Sequence, residues 1–255
     1  MQLNDLLKTP LPIPPREQVE ILVAEATRLV PVARLDLVNR VSHGIRTPLA
    51  AILGFKEILA RDSALSDDDK RLFSSIINSE SHRLQRFVAS LQTFEELRTS
   101  QFQIERLPSD IRATIRSAIE ALQGDATSKA ISVRFPADKD PIVVEADHRR
   151  LGLAVEHLIS NALKASPRGG IIDVAFEVSG NKVRITVTDT GLGIASEDVE
   201  QIFKPFKRFP RPDDNGSELG LGLTLARSIT ELNGGTISVS SVPAHGTCFA
   251  IELPL

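Results

Sequence analysis

Two apolar heptad patterns in the first hundred residues constrain the fold most. Val38, Ile45, Ile52 and Leu59 recur every seven residues, and Val41 and Phe55 lie three positions on within the same repeat. A second pattern follows, with Phe73, Phe87 and Phe94 in one series and Ile77, Leu84 and Leu91 in the other; Glu80 is its one polar break. A seven-residue apolar period marks a helix with a continuous seam. Two such helices in succession make an antiparallel hairpin that cannot bury both seams by itself, so a dimeric four-helix bundle is expected. Ser66, with Asp69 three residues on and Asp67 and Asp68 beside it, reads as the capped start of the second helix.

With Val38 as position a, His43 falls at f, on the outer face, where its imidazole stays in water. Pro48 has no N–H, so the carbonyl of Gly44 loses its usual partner and the helix is expected to bend beside His43. This stretch alone fits a plain surface histidine as well as a nucleophile held out for a partner. Ahead of it, four prolines in Pro10-Leu11-Pro12-Ile13-Pro14-Pro15 exclude helix interior and read as a stiff lead-in. Pro31 marks a kink or a break before the histidine helix, and residues 61–65 read as the turn between the two helices.

Composition narrows the class. The 255 residues are 42% hydrophobic and 25% charged, values of a soluble globular protein, with a net charge of −3 that gives no reason to expect nucleic acid or an anionic membrane. Tryptophan and tyrosine are absent, which removes the usual stacking platforms for single strands. The lone Cys248 excludes an internal disulfide and reads as a small core residue. No apolar run reaches the roughly 18–20 residues of a membrane helix, and no signal-peptide core opens the chain, so a cytoplasmic protein, or the cytoplasmic part of a larger one, is expected.

After residue 100 the periodicity becomes mixed. Phe102-Gln103-Ile104-Glu105 alternates like a strand, Asp110 to Leu122 is an amphipathic helix capped by Ser109, and 131–135 and 142–145 read as short strands. Asp147 to Ser166 is a helix stopped by Pro167. Strands at about 171–178 and 182–188 flank the hairpin turn Ser179-Gly180-Asn181. A glycine-rich loop, a short helix, a polar loop and another helix lead to final strands at about 236–240 and 247–253. Strands mixed with helices and closing hairpins indicate an α+β sandwich. The expected domains are a linker with a short helix over 1–33, a helical hairpin over 34–100 and the sandwich over 101–255.

Four segments of that second half have the makings of a nucleotide site. His157, Asn161 and Lys164 stand at i, i+4 and i+7 on one helix face; an amide oxygen suits Mg²⁺, and a lysine one turn on meets phosphate. The same spacing also fits an ordinary polar helix face. Asp189-Thr190-Gly191-Leu192-Gly193 follows a strand directly; its carboxylate can accept from an exocyclic amine, and its glycines let a base approach the backbone. Phe203-Lys204-Pro205-Phe206 precedes a polar loop, Pro210 to Ser217, that reads as a lid hinged on aromatics or as a satellite cluster. Leu219-Gly220-Leu221-Gly222-Leu223 opens a helix and offers free N–H groups to an anion. The spacing fits neither a Rossmann fingerprint nor a P-loop.

In this order and spacing the four segments resemble the transmitter region of two-component sensor histidine kinases, from about residue 34 to the C-terminus. Ser42 to Leu49 resembles the phosphoacceptor box and Ala146 to Ala165 the asparagine box. Asp189 to Gly193 and Gly220 to Leu223 resemble the two glycine boxes, with the phenylalanine box at Phe203 to Phe206. Gly234-Gly235 and Gly246 to Phe249 match the closing segments. The resemblance implies a homodimeric helical hairpin followed by a Bergerat-type α/β sandwich that binds ATP with Mg²⁺. It implies His43 as phosphoacceptor, Thr47 as the residue orienting water for dephosphorylation of a partner, Asn161 as the Mg²⁺ ligand and Lys164 on phosphate. It further implies Asp189 on the adenine amino group, with Gly191, Gly193, Phe203, Arg208, Gly220, Gly222 and Leu223 completing the nucleotide site. The partner implied is a response regulator receiver domain, docked near Ala51, Phe55, Leu72 and Ile76.

Two positions depart from the family pattern. Gly44 stands where an acidic residue usually follows the histidine, removing a hydrogen-bonding base, and Glu218 replaces the first glycine of the second glycine box. These departures keep a nucleotide-binding pseudokinase or scaffold as the alternative to a kinase. An ATP hydrolase on the same sandwich would need a glutamate where His157 stands; Glu156 points about 100° away from that face. Residues 1–33 are too short for an ordinary sensor domain, so the input is expected from an upstream region, a partner or this segment.

Overall fold

The computed structural model describes residues 34–61, 65–99, 102–136, 141–209 and 219–255. The proline-rich lead-in with Pro31, residues 62–64 of the first turn, the lid expected at 210–217 and Glu218 lie outside the described residues.

Helices α1 (Arg34–Arg61) and α2 (Asp67–Arg98) form the hairpin. Their seam matches the heptad pattern, with Val41, Ile45, Ile52 and Ile77 buried and Phe55 packed on Phe73 at a centroid distance of 5.2 Å. Ser66 caps α2, its hydroxyl accepting from the Asp69 N–H at 3.1 Å. Helix α1 continues through Pro48 to Arg61, so the proline does not end it. His43 is exposed, whereas Gly44 beside it is buried.

The sandwich begins with β1 (Leu107–Asp110) and α3 (Ile111–Ala121), then α4 (Gln123–Ser128), β2 (Ser132–Arg134) and β3 (Val143–Ala146). Helix α5 (His148–Ala165) leads to β4 (Ile171–Ser179) and β5 (Lys182–Asp189), and then α6 (Gly222–Leu232), β6 (Thr236–Val242) and β7 (Gly246–Pro254) close the chain. Five strands form the main sheet in the order β2-β4-β5-β7-β6, with β2 and β4 parallel and the other pairs antiparallel. Strands β1 and β3 make a separate antiparallel pair.

Strand periodicity separates the two faces. Ile172, Val174 and Phe176 of β4 and Val183, Ile185 and Val187 of β5 are buried in the core with Leu151, Leu158 and Ile159 of α5. The opposite face is polar and carries exposed or half-exposed pairs such as Lys182–Glu252 at 3.4 Å and Arg134–Asp173 at 3.9 Å. Ion pairs of that kind contribute little; helices on one face of the sheet make the core.

Three expectations need correction. Residues 102–106 are irregular, and the strand lies later, at Leu107–Asp110. Alternation alone misled, because Phe102 is packed under the Arg150 guanidinium, 4.2 Å from its ring centroid, and not along a sheet. Asp110, not Ser109, caps α3 by accepting from the Arg112 N–H at 3.0 Å, while the Ser109 hydroxyl donates to the carbonyl of Ala146 across the β1–β3 pair. The short helix expected after the glycine-rich loop is a run of tight turns, with the N–H groups of Asp198, Gln201 and Lys204 each donating three residues back.

Asp147 fastens α5. Its carboxylate accepts from the Arg150 N–H at 2.9 Å and the Glu105 N–H at 3.3 Å, and its own N–H donates to Asn233 Oδ1 at 2.9 Å at the end of α6. The substitution Asp147→Ala is therefore expected to lower unfolding free energy by about 1–2 kcal/mol, measured by urea titration; an unchanged midpoint would remove the cap from this account.

Candidate functional site

Helix α5 gathers the site. Asn161, Lys164 and His157 are half-buried on it, and its C-terminal end meets the turn after β5. There the Leu192 N–H donates to the Ala165 carbonyl at 3.3 Å, and a Cβ at Gly191 would overlap that same oxygen. The Ala244 N–H donates to the Leu192 carbonyl at 2.7 Å from the β6–β7 turn. Gly193, at φ 68°, lies against the Val242 carbonyl, and Gly246, at φ 100°, against the Asp189 carbonyl. Sequence reasoning gave Gly191 and Gly193 to an approaching base and Gly246 only to a closing segment. In the fold they first serve close approach of the protein's own backbone, which any side chain would block.

Asp189 ends β5 on the face that otherwise carries Val183, Ile185 and Val187, and it is 2% exposed. Its Oδ1 accepts from the Gly191 N–H at 2.8 Å. A carboxylate buried in line with core valines is costly unless polar groups meet it, so this position suits recognition of a donor such as an exocyclic amine. Thr247 is its cross-strand partner on β7 and is buried too, its Oγ1 within 2.9 Å of Ser241 Oγ. Sequence reasoning placed Thr247 only in a closing segment. Its neighbourhood to Asp189 follows from the β5–β7 register, which no local pattern reveals.

Helix α6 opens at Gly222 without a side-chain cap at Leu221, in contrast to the capped α2, α3 and α5. Its first N–H groups and dipole therefore suit an anion. A Cβ at Gly222 would stand 3.4 Å from His157 Nδ1, so this helix start adjoins the polar face of α5. Leu223, in the first turn of α6, is half-buried. The phenylalanine segment joins the same region: Thr224 Oγ1 donates to the Phe203 carbonyl at 2.9 Å, and the Phe206 N–H donates to the Gly220 carbonyl at 3.0 Å. Phe203 meets Phe249 edge-on at 6.4 Å, and Arg208 is half-buried just beyond.

The four segments thus converge around α5, with Asp189 beyond its C-terminal end and the start of α6 against its middle. Among the described residues no cluster of three His, Cys, Asp or Glu side chains could hold a metal. The donor that the sequence suggests is the Asn161 amide oxygen, one turn before Lys164 on α5. That set fits a Mg²⁺ ion bound by one protein oxygen together with substrate phosphates, the ordinary pattern for this cation.

The hairpin packs against this assembly. Val41 and Ile45 share a core cluster with the sandwich, and Phe94 meets Phe206 edge-on at 5.2 Å. Arg86 of α2 pairs with Asp125 at 2.6 Å, and Glu96 pairs with Arg150 at 3.0 Å. Arg86 also faces Glu156 of α5. Loss of water pushes the Glu156 carboxyl above its ordinary value, and the Arg86 charge offsets part of that rise.

Residues 33–100 match the His Kinase A (phospho-acceptor) domain, and residues 146–255 match the histidine kinase-, DNA gyrase B-, and HSP90-like ATPase family. The chain is 30% identical over 223 residues to histidine protein kinase DivJ of Caulobacter vibrioides, covering 87% of this chain and 37% of DivJ. It is 34% identical over 227 residues to sensor-like histidine kinase SenX3 of Mycobacterium bovis, covering 87% of this chain and 54% of SenX3. The chain therefore spans about half, or less, of these relatives. A crystal structure of histidine kinase ThkA in complex with response regulator protein TrrA superposes with a TM-score of 0.57 at 26% identity, over 93% of this chain and 66% of that one.

The Glu156 environment makes stability depend on pH. A carboxyl whose folded pKa is raised holds its proton more tightly folded than unfolded, so its contribution is present below the ordinary value of 4.5 and is lost as pH rises through the raised one. Glu156→Gln lacks this loss. Its melting temperature relative to the parent is expected to climb as pH rises from 4.5 towards neutrality; a gap independent of pH would contradict the assignment.

Proposed function

Because the chain belongs to the sensor histidine kinases and carries their transmitter region, we propose that it transfers the γ-phosphoryl group of ATP to His43. From there the group passes to an aspartate on the receiver domain of a response regulator. The observation that carries this reading is the convergence of Asn161, Lys164, Asp189 and the uncapped start of α6 around one helix, with an exposed histidine on a hairpin packed against the same sandwich.

Asp189 accepts from the adenine amino group, and the Gly191 and Gly193 turns shape that pocket. The N–H groups at Gly222 and Leu223, with Lys164 and Arg208, meet the phosphates. The Asn161 amide oxygen would hold Mg²⁺ against the phosphates, where the ion would supply positive charge for the transfer. A neutral ring nitrogen of His43 forms the P–N bond as the bond from γ-phosphorus to the β,γ-bridging oxygen breaks and ADP departs. The imidazole proton must then leave. Gly44 offers no carboxylate to take it, so the proton passes to water, which reaches the exposed ring. This slows the step without abolishing it, since general-base help contributes only about 10²–10⁴-fold.

Thr47, half-buried one turn after His43, stands where it orients water for dephosphorylation of the receiver. The receiver docks on the lower hairpin around Ala51, Phe55, Leu72 and Ile76; Leu72 is 54% exposed there. ThkA, a structural neighbour, was solved with a response regulator, in keeping with such a partner. A second copy packs its hairpin on the first, completing a four-helix bundle.

Incubation with γ-labelled ATP and Mg²⁺ is expected to give acid-labile, alkali-stable label on the chain. Label is absent in His43→Gln and reduced at least tenfold in Asn161→Ala. Failure of the parent to take up label, or undiminished label in His43→Gln, would overturn the proposal.

A further inference from the structure

Resting on the kinase reading, we propose that Arg40 is a positioning residue that ties the phosphoacceptor helix to the phosphate end of the nucleotide site through the backbone of Phe206. Arg40 Nη1 donates to the Phe206 carbonyl at 2.9 Å, across 166 positions of sequence. The Phe206 N–H in turn donates to the Gly220 carbonyl at 3.0 Å, two residues before α6 begins at Gly222. One residue thus accepts from the hairpin and donates to the glycine turn that aims the N–H groups of α6.

Phe206 is well suited to fix that distance. It is a non-glycine residue at φ 63°, a region kept only where the surroundings determine it. Gly220, at φ 71°, packs so closely that a Cβ would overlap the Lys207 carbonyl. The Phe206 ring meets Phe94 of α2 edge-on, and Phe203, three residues earlier, is held to α6 by Thr224 and against β7 by Phe249. The segment is gripped by the sandwich on one side and by both hairpin helices on the other.

Arg40 lies three residues before His43 on α1, so the two side chains project from neighbouring positions on the helix surface. A guanidinium fixed at Phe206 therefore sets both the rotation of α1 and its separation from the start of α6. Those are the two variables that decide whether the imidazole meets the γ-phosphoryl group in line. Arg40 touches no reacting atom; it acts on the pose of the two parts. With no carboxylate after His43 to improve the nucleophile, more of the rate depends on that pose.

The test uses the full chain in single-turnover autophosphorylation at varied ATP, alongside binding of a fluorescent ATP analogue and thermal melting. Arg40→Ala is expected to lower the maximal rate about tenfold, with half-saturation, analogue affinity and melting temperature unchanged. Arg40→Lys, which keeps a donor and the charge, recovers part of the rate. A parent-like rate, a faster rate, or a loss that follows affinity or melting temperature would each overturn the positioning role. A parent chain that takes up no label would overturn the kinase reading and this inference together, whereas a labelled parent with an equally fast Arg40→Ala overturns this inference alone.

Discussion

The structure depends on backbone approaching backbone at one turn. Asp189 to Gly193 is held between the end of α5, through the Ala165 carbonyl, and the β6–β7 turn, through Leu192, Val242 and Gly246. The approaches at Gly191, Gly193 and Gly246 need a missing Cβ, and they hold the turn that follows the buried Asp189 carboxylate. Hydrophobic burial makes the core, as in any domain of this size. The turn fixes Asp189 relative to α5 and hence relative to the candidate residues Asn161 and Lys164.

The hairpin adds a second layer of organisation, in which polar pairs accompany apolar packing. Arg86 reaches between Asp125 and Glu156, and Glu96 meets Arg150, whose guanidinium also covers Phe102 where the chain enters the sandwich. Contacts of this kind position more than they stabilise, since ionic pairs at partly exposed sites are individually weak. Apolar anchors lie between them at Phe94 and Phe206, with Val41 and Ile45 in the shared core.

Much of this was legible in the sequence, for identifiable reasons. The heptads located the hairpin because helix–helix burial imposes its period locally, and Ser66 marked the start of α2 because capping is a local hydrogen bond. The asparagine helix and the β4–β5 hairpin were clear on the same grounds. Features set by distant contact were not. The alternation at 102–105 suggested a strand where a cation over Phe102 is the real constraint, and Asp110 displaced Ser109 as cap because Ser109 is engaged across the β1–β3 pair. The candidate site residues were picked out through their segments, but the pairing of Thr247 with Asp189 and the reach of Arg40 to Phe206 depend on register and packing. Gly191 and Gly193 were singled out for an approaching base, whereas the neighbour each admits in the fold is the protein's own backbone.

The central claim is that the Asp189 turn, fixed by glycine against Ala165, creates the nucleotide site. Equilibrium binding of ATP to Gly191→Ala, with circular dichroism to confirm retained helix, tests it most directly. The account expects affinity at least about tenfold weaker, on the order of 1.4 kcal/mol, with the helical signal intact. ATP bound at parental affinity by Gly191→Ala would contradict it.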